Sequence, residues 1–156
     1  FLNDKRVIDI PWLLRKILVN GIIVPFRAPK SAKVYKELWT DRGSPIIYHT
    51  EDLTNKLKHE LDDSYHIEYA MRYKTPSLKK ILQSWEGKNF EQIIILPLFP
   101  HYASATNGSV IEESMDVIKK WWVIPEINFV TQFYDQEFYY KGFEEQGKKH
   151  NFKERA

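Results

Sequence analysis

The residues best able to do chemistry fall in three short segments. The first is the loop over residues 99–109, where Phe99, His101, Tyr102, Ser104, Thr106, Asn107 and Ser109 sit among the small residues Ala103, Ala105 and Gly108. Hydroxyls on a small-residue backbone that leads into a helix N-terminus suit an anionic group such as a carboxylate or phosphate. The same residue types also cap helices and form turns, so spacing alone leaves both readings open. His101 and Tyr102 are either an acid/base or ligand pair, or a hydrogen-bonded loop histidine beside a phenol.

The second segment is Arg72-Tyr73, at the end of an apolar/polar alternation. An arginine there can hold a carboxylate in a bidentate grip, or can form an ordinary ion pair near a sheet edge. The third is Phe26-Arg27-Ala28-Pro29-Lys30, with Tyr35 following and the apolar run Ile22-Ile23-Val24-Pro25 preceding. Basic residues next to so apolar a run suggest either core packing or an apolar rim for a flat ligand or a membrane surface. The acidic pairs Asp62-Asp63 and Glu112-Glu113 read most simply as solvated charges, and the chain has no dinucleotide, phosphate-loop or HExxH signature.

These segments must be held by an ordinary soluble α/β core. Hydrophobic residues make up 43% and charged residues 28% of 156, which is enough for one α/β domain. A net charge of +2 is far from what a dedicated nucleic-acid binder carries, so no nucleic-acid partner is expected. The aromatic share of 15% is high, which suits core packing and also the lining of a site for a flat ligand. The absence of cysteine rules out disulfides, thiolate nucleophiles and cysteine-held metals in this stretch, and fits a reducing, cytoplasmic location. No apolar run reaches membrane-spanning length. The chain begins at Phe1 and closes on Lys-Glu-Arg-Ala after a polar helix-like stretch, so both ends read as cut.

Helix-like and strand-like patterns alternate along the chain. Residues 12–27 read as a short helix ending near Gly21, then an irregular apolar segment closed by Pro25. Residues 30–40 carry helical spacing, and Gly43-Ser44-Pro45 opens a helix to about Leu61, with Leu53, Leu57 and Leu61 on one face. Residues 66–73 read as a strand, and a helix with Leu78, Ile81, Leu82 and Trp85 follows Pro76. Residues 92–98 read as a strand buried on both faces. A helix over residues 109–122, a strand over 127–133 and a helix over 135–148 complete the pattern. The order indicates βαβ units in a doubly wound, mainly parallel Rossmann-like sheet, with ligands at the carboxyl ends of its strands.

Four stretches together resemble ferrochelatase. FLNDKRVIDIP over residues 1–11 is similar to the family's FLxDxxVIDIP. KSAKVY over residues 30–35, followed by Trp39 and Gly43-Ser44-Pro45, resembles K-S-A-x-x-Y…W…GSP. AMRYKTPS over residues 70–77 resembles MRYxxPS, and LPLFPHYASATNGS over residues 96–109 resembles LPLYPQYSxxTTGS. The resemblance implies insertion of ferrous iron, as substrate and with no cofactor, into protoporphyrin IX. It implies a chelatase-like fold of two similar halves around a porphyrin cleft, with residues 1–156 in the N-terminal half and the C-terminal half of the same enzyme as partner.

By the same resemblance, residues 7–25, including Ile8, Ile10 and Pro11, form the lip over the macrocycle, which in membrane-associated members also makes peripheral contact with the bilayer. Arg27, Lys30, Tyr35 and Ser44 fall at the propionate contacts. Arg72 and Tyr73 fall at the floor on the side of metal approach, and Phe99 and Tyr102 on the cleft loop. The family's FSxHGxP histidine and its catalytic glutamate have no match before residue 156, so no catalytic residue is assigned here and the metal ligands are unknown. His101 stands in place of a usual Gln, and Ala103 and Asn107 in place of a common Ser and Thr, which puts hydroxyl contacts there in doubt. A chelatase for coproporphyrin or sirohydrochlorin and a non-enzymatic α/β anion-binding domain are the alternatives.

Overall fold

The computed structural model describes residues 1–149; the closing Lys-Glu-Arg-Ala lies outside them. The chain divides into two compact units, the first Phe1–Glu86 and the second beginning at Gly87.

The first unit is helical. Helix α1 (Trp12–Lys16) runs through a π-helical segment (Ile17–Ile23) into α2 (Val24–Leu38). The expected stop at Gly21 and the irregular segment before Pro25 are therefore replaced by continuous helix. A single glycine weakens a helix by only about 1 kcal/mol and does not end it. The π-helical turn closes on Val24, whose N–H reaches back to the Val19 carbonyl. That wider turn sits immediately before Pro25, where a regular α-turn would crowd the proline ring against the carbonyl four residues back.

Helix α3 (Pro45–Glu60) starts where expected, with Ser44 as N-cap, Pro45 in the first turn and Lys58 and His59 in the last. Gly43 precedes it at φ +92°, a conformation that favours glycine, and exchanges two backbone hydrogen bonds with Thr40. Arg42 then grips Asp52 of α3 at 2.9 and 2.6 Å while lying over the Tyr48 ring at 4.5 Å. Helix α4 (Leu78–Trp85) buries Leu78 and Leu82, one turn apart. With Val19 and Thr54 they are the buried side chains of this unit.

Residues 66–73 are not a strand. Among the described residues its pairing is limited to one bridge between Met71 and Ser77, supported by Met71 N–H to the Pro76 carbonyl and Leu78 N–H to the Met71 carbonyl, and residues 72–73 bend. Alternating side chains suit an extended chain with one half-buried face, but a strand also needs a partner ladder, which the described residues do not supply.

The second unit holds a parallel pair, β1 (Gln92–Ile95) and β2 (Glu126–Phe129), in register from Gln92↔Glu126 to Ile95↔Phe129. Helix α5 (Ser109–Ile118) forms the connection, and α6 (Glu137–Lys149) follows β2. This is the expected α/β class with a small parallel sheet. Ile93 and Ile95 are buried, as are Val117, Ile118 and Trp121. The expectation of burial on both faces of β1 fails, because Ile94 and Leu96 are about half exposed. One face of the strand alone is covered among the described residues.

Leu82 is 1% exposed and sits in the small core of the first unit. Leu82→Ala is expected to lower unfolding free energy by about 2–5 kcal/mol, from lost apolar burial and the cavity left behind. Urea titration followed by circular dichroism checks this. A loss below about 0.5 kcal/mol, the size typical of surface substitutions, would contradict the burial described.

Candidate functional site

In the first unit, the opening segment is tied down by charge. Asp4 Oδ1 accepts the Arg6 backbone N–H at 2.8 Å. Its Oδ2 accepts both Arg72 Nη2 and the Tyr73 hydroxyl, each at 2.9 Å. The Arg72 guanidinium also lies 4.5 Å over the Tyr73 ring, and Phe1 meets that ring edge-on at 5.4 Å. Of the two readings open for Arg72, the structure thus supports the ion pair, and the carboxylate it holds belongs to the chain.

Farther along, Arg15 Nη1 donates to the carbonyls of Ile8 and Ile10, both at 3.1 Å. This satisfies backbone acceptors that no ladder would otherwise engage. Ile8 and Ile10 are half-buried and Pro11, the N-cap of α1, is exposed. The three are therefore brought together as one held segment at the start of the long helix.

Arg27, Lys30 and Tyr35 all lie on α2, which buries none of its residues. Their spacing puts Lys30 about one turn and Tyr35 about two turns beyond Arg27, a rise of roughly 12 Å from first to last. None of the three makes an ion pair or hydrogen bond among the described residues. Around them the apolar side chains face solvent: Phe26 is 81% exposed, and Trp12, Leu14, Ile17, Ile22, Val34 and Leu38 are all more than half exposed. The result is a helical surface with unpaired cations set into apolar area, suited to a ligand with an apolar body and anionic edges. Ser44 stands apart from that helix, at the N-cap of α3, where its hydroxyl makes no capping bond.

In the second unit, residues 99–103 form the loop at the carboxyl end of β1, and a π-helical segment, Ser104–Gly108, runs on into α5 where the sequence reading expected loop as far as Gly108. Asn107 is fully buried, and its amide nitrogen donates to the carbonyls of Phe99 at 3.2 Å and Thr131 at 2.6 Å. Its Oδ1 accepts the Thr106 hydroxyl at 2.9 Å. The Pro100 carbonyl accepts the N–H groups of Phe133 and Tyr134 at 3.0 and 3.2 Å. One amide and one carbonyl thus join the loop after β1 to the chain after β2.

Thr106 and Asn107 turn inward within the π-helical segment, as the turn-forming reading has them, and Gly108 N–H returns to the Ala103 carbonyl at 3.1 Å, while neither helix start has a side-chain cap. His101 stacks on Tyr134 with centroids 4.9 Å apart and meets Tyr139 edge-on at 6.3 Å. Its ring is an aromatic packing element, and among the described residues no cluster of three or more histidine or acidic side chains could hold a metal. Phe99 and Tyr102 project from the fixed loop, 42% and 51% exposed.

One residue escaped sequence reasoning, and a second was named without its role. Asp4 lies inside the quoted opening stretch, and its signal was a lone acid directly before two basic residues. Asn107 registered as a missing hydroxyl, although asparagine's two amide hydrogens allow what a threonine cannot do, donating to two carbonyls at once.

The family model described as ferrochelatase matches residues 1–155. A ferrochelatase of Legionella pneumophila (strain Paris) is 46% identical over 139 residues, covering 89% of this chain and 41% of the relative. A ferrochelatase of Teredinibacter turnerae is 37% identical over 155 residues, covering 96% of this chain and 42% of the relative. A ferrochelatase of Francisella tularensis is 38% identical over 152 residues, covering 96% and 45%. The chain spans about two fifths of the length of the curated relatives it matches. No solved structure gives a significant match.

Asn107→Ala leaves the Phe99 and Thr131 carbonyls without their amide donor. A loss of about 1–3 kcal/mol in unfolding free energy is expected from that desolvation. Denaturant titration measures it, and an unchanged midpoint would show that the clamp is not needed.

Proposed function

This chain belongs to the ferrochelatase family, and from that premise we propose that the protein carrying it inserts ferrous iron into protoporphyrin IX, the last step of haem synthesis. This stretch supplies the lip over the macrocycle and the wall that anchors its carboxylates. The observation that carries the reading is the surface of α2, where Arg27, Lys30 and Tyr35 stand without partners among the described residues and beside exposed apolar side chains. A protoporphyrin is a flat apolar ring with two carboxylates on one edge. Cations on an apolar helix meet both of its features, and burial of the exposed side chains adds apolar contact.

Each part has a role. Ile8, Ile10 and Pro11 cover the ring, held in place by Arg15. Arg27, Lys30, Tyr35 and Ser44 receive the propionates. By the family resemblance alone, Phe99 and Tyr102 fall on the cleft loop and Arg72 and Tyr73 on the side of metal approach. An apolar grip that bends the ring exposes its nitrogens, and a base then takes their two protons. That base, and the group that delivers iron, belong to residues outside these 156, in a C-terminal half. The chain alone is accordingly a porphyrin-binding piece without turnover. The protein works in the cytoplasm, with the exposed apolar residues of α1 in peripheral contact with a membrane surface.

Arg27→Ala and Lys30→Ala in the intact protein should each weaken protoporphyrin IX binding about tenfold, the loss of one charge-assisted contact. They should leave binding of a porphyrin that lacks carboxylates unchanged. Soret titration of both porphyrins, followed by anaerobic addition of ferrous iron, makes the test. Equal losses for both porphyrins, or no metallation by the intact protein, would overturn the reading.

A further inference from the structure

Helix α2 carries four cations, Arg27, Lys30, Lys33 and Lys36, at steps of three residues. An α-helix turns about 100° per residue, so each step of three moves the next cation back by about 60° around the axis. Arg27 and Lys36 therefore project from opposite sides, and no single ligand edge can meet all four. Among the described residues, none of the four makes an ion pair or a side-chain hydrogen bond. Apolar side chains then set one side of the helix apart. Val34 and Leu38, both more than half exposed, stand seven and eleven residues after Arg27. With Arg27 and Lys30 they share a face spanning about 80° of the circumference. Lys33 and Lys36 fall outside that face. The face also has a direction: two cations at its N-terminal end and two apolar side chains at its C-terminal end. Glu37, three residues after Val34, adds a negative charge beside the apolar end.

That polarity bears on which porphyrin fits. A ring with both carboxylates on one edge can lay that edge on Arg27 and Lys30 and its apolar remainder on Val34 and Leu38. A ring carboxylated on the far edge as well would press those groups against apolar side chains and Glu37. There they lose water and gain no partner. We propose that Val34 and Leu38 are specificity-determining residues, which select porphyrins carboxylated on one edge and reject tetracarboxylates such as coproporphyrin. This rests on the porphyrin reading given above, and deepens it by assigning the choice of substrate class to two residues of α2.

Soret titration of the intact protein with protoporphyrin IX and with coproporphyrin III gives the ratio of their Kd values. Wild type should favour protoporphyrin by about tenfold or more. Val34→Lys and Leu38→Lys each place a cation at the apolar end, and each should move that ratio about tenfold toward coproporphyrin. The shift should shrink as ionic strength rises, because the added contact is between charges. Lys33→Ala and Lys36→Ala, which lie off the face, should change neither Kd by more than about twofold. Both lysine variants should unfold at the wild-type denaturant midpoint, since the two positions are exposed. A wild type that prefers coproporphyrin, a ratio unmoved in both lysine variants, or a Lys33→Ala loss as large as that of Arg27→Ala would overturn the proposal. So would loss of both porphyrins with a lowered midpoint, which would mean that further protein covers Val34 and Leu38. A wild-type protein that binds neither porphyrin would overturn the underlying reading, whereas wild-type binding with an unmoved ratio removes this inference alone.

Discussion

A polar side chain that leaves water must find its hydrogen-bond partners in fixed directions, and the two units of this chain are each organised around one such group. In the first, Asp4 engages both carboxylate oxygens and so binds the opening segment to Arg72 and Tyr73. In the second, Asn107 engages its amide nitrogen and its oxygen and so binds the loop after β1 to the chain after β2. Neither group gains much energy from any single bond in net terms, but each would be costly to leave half satisfied. That asymmetry is what gives the surrounding loops one conformation.

With those loops held, the chain can afford to display what most chains bury. The helical run from Trp12 to Leu38 buries Val19 and little else, and α2 buries nothing. Exposed apolar area of this extent is unfavourable in water and is retained where a ligand, a surface or further protein covers it. Cations at Arg27 and Lys30, without partners among the described residues, add a second unmet demand. The proposed macrocycle, with an apolar body and anionic edges, would answer both demands at once.

The parts legible in the sequence were those with a strong period. Leu78 and Leu82, one turn apart, announced α4, and the Ser44-Pro45 start announced α3. The run Gln92–Ile95 announced β1, although its alternation of buried and exposed side chains was hidden because every residue from Ile93 to Ile95 is isoleucine. Punctuation misled at Gly21 and Pro25, since a widened helical turn accommodates both. Residues 66–73 had the alternation of a strand without a ladder to join, which no local pattern reveals. Asp4 and Asn107 act through partners 68 and 24 residues away, and such distances carry no signature in one sequence.

The most direct test of the account is hydroxyl-radical footprinting of the intact protein with and without protoporphyrin IX. Bound porphyrin should protect Phe26 and Tyr35 on the long helix, while Trp122, which is 97% exposed beyond α5, stays equally reactive. Unchanged reactivity at Phe26 and Tyr35 under saturating porphyrin would mean that the ligand sits elsewhere, and that the exposed apolar and cationic surface of α2 serves some other contact.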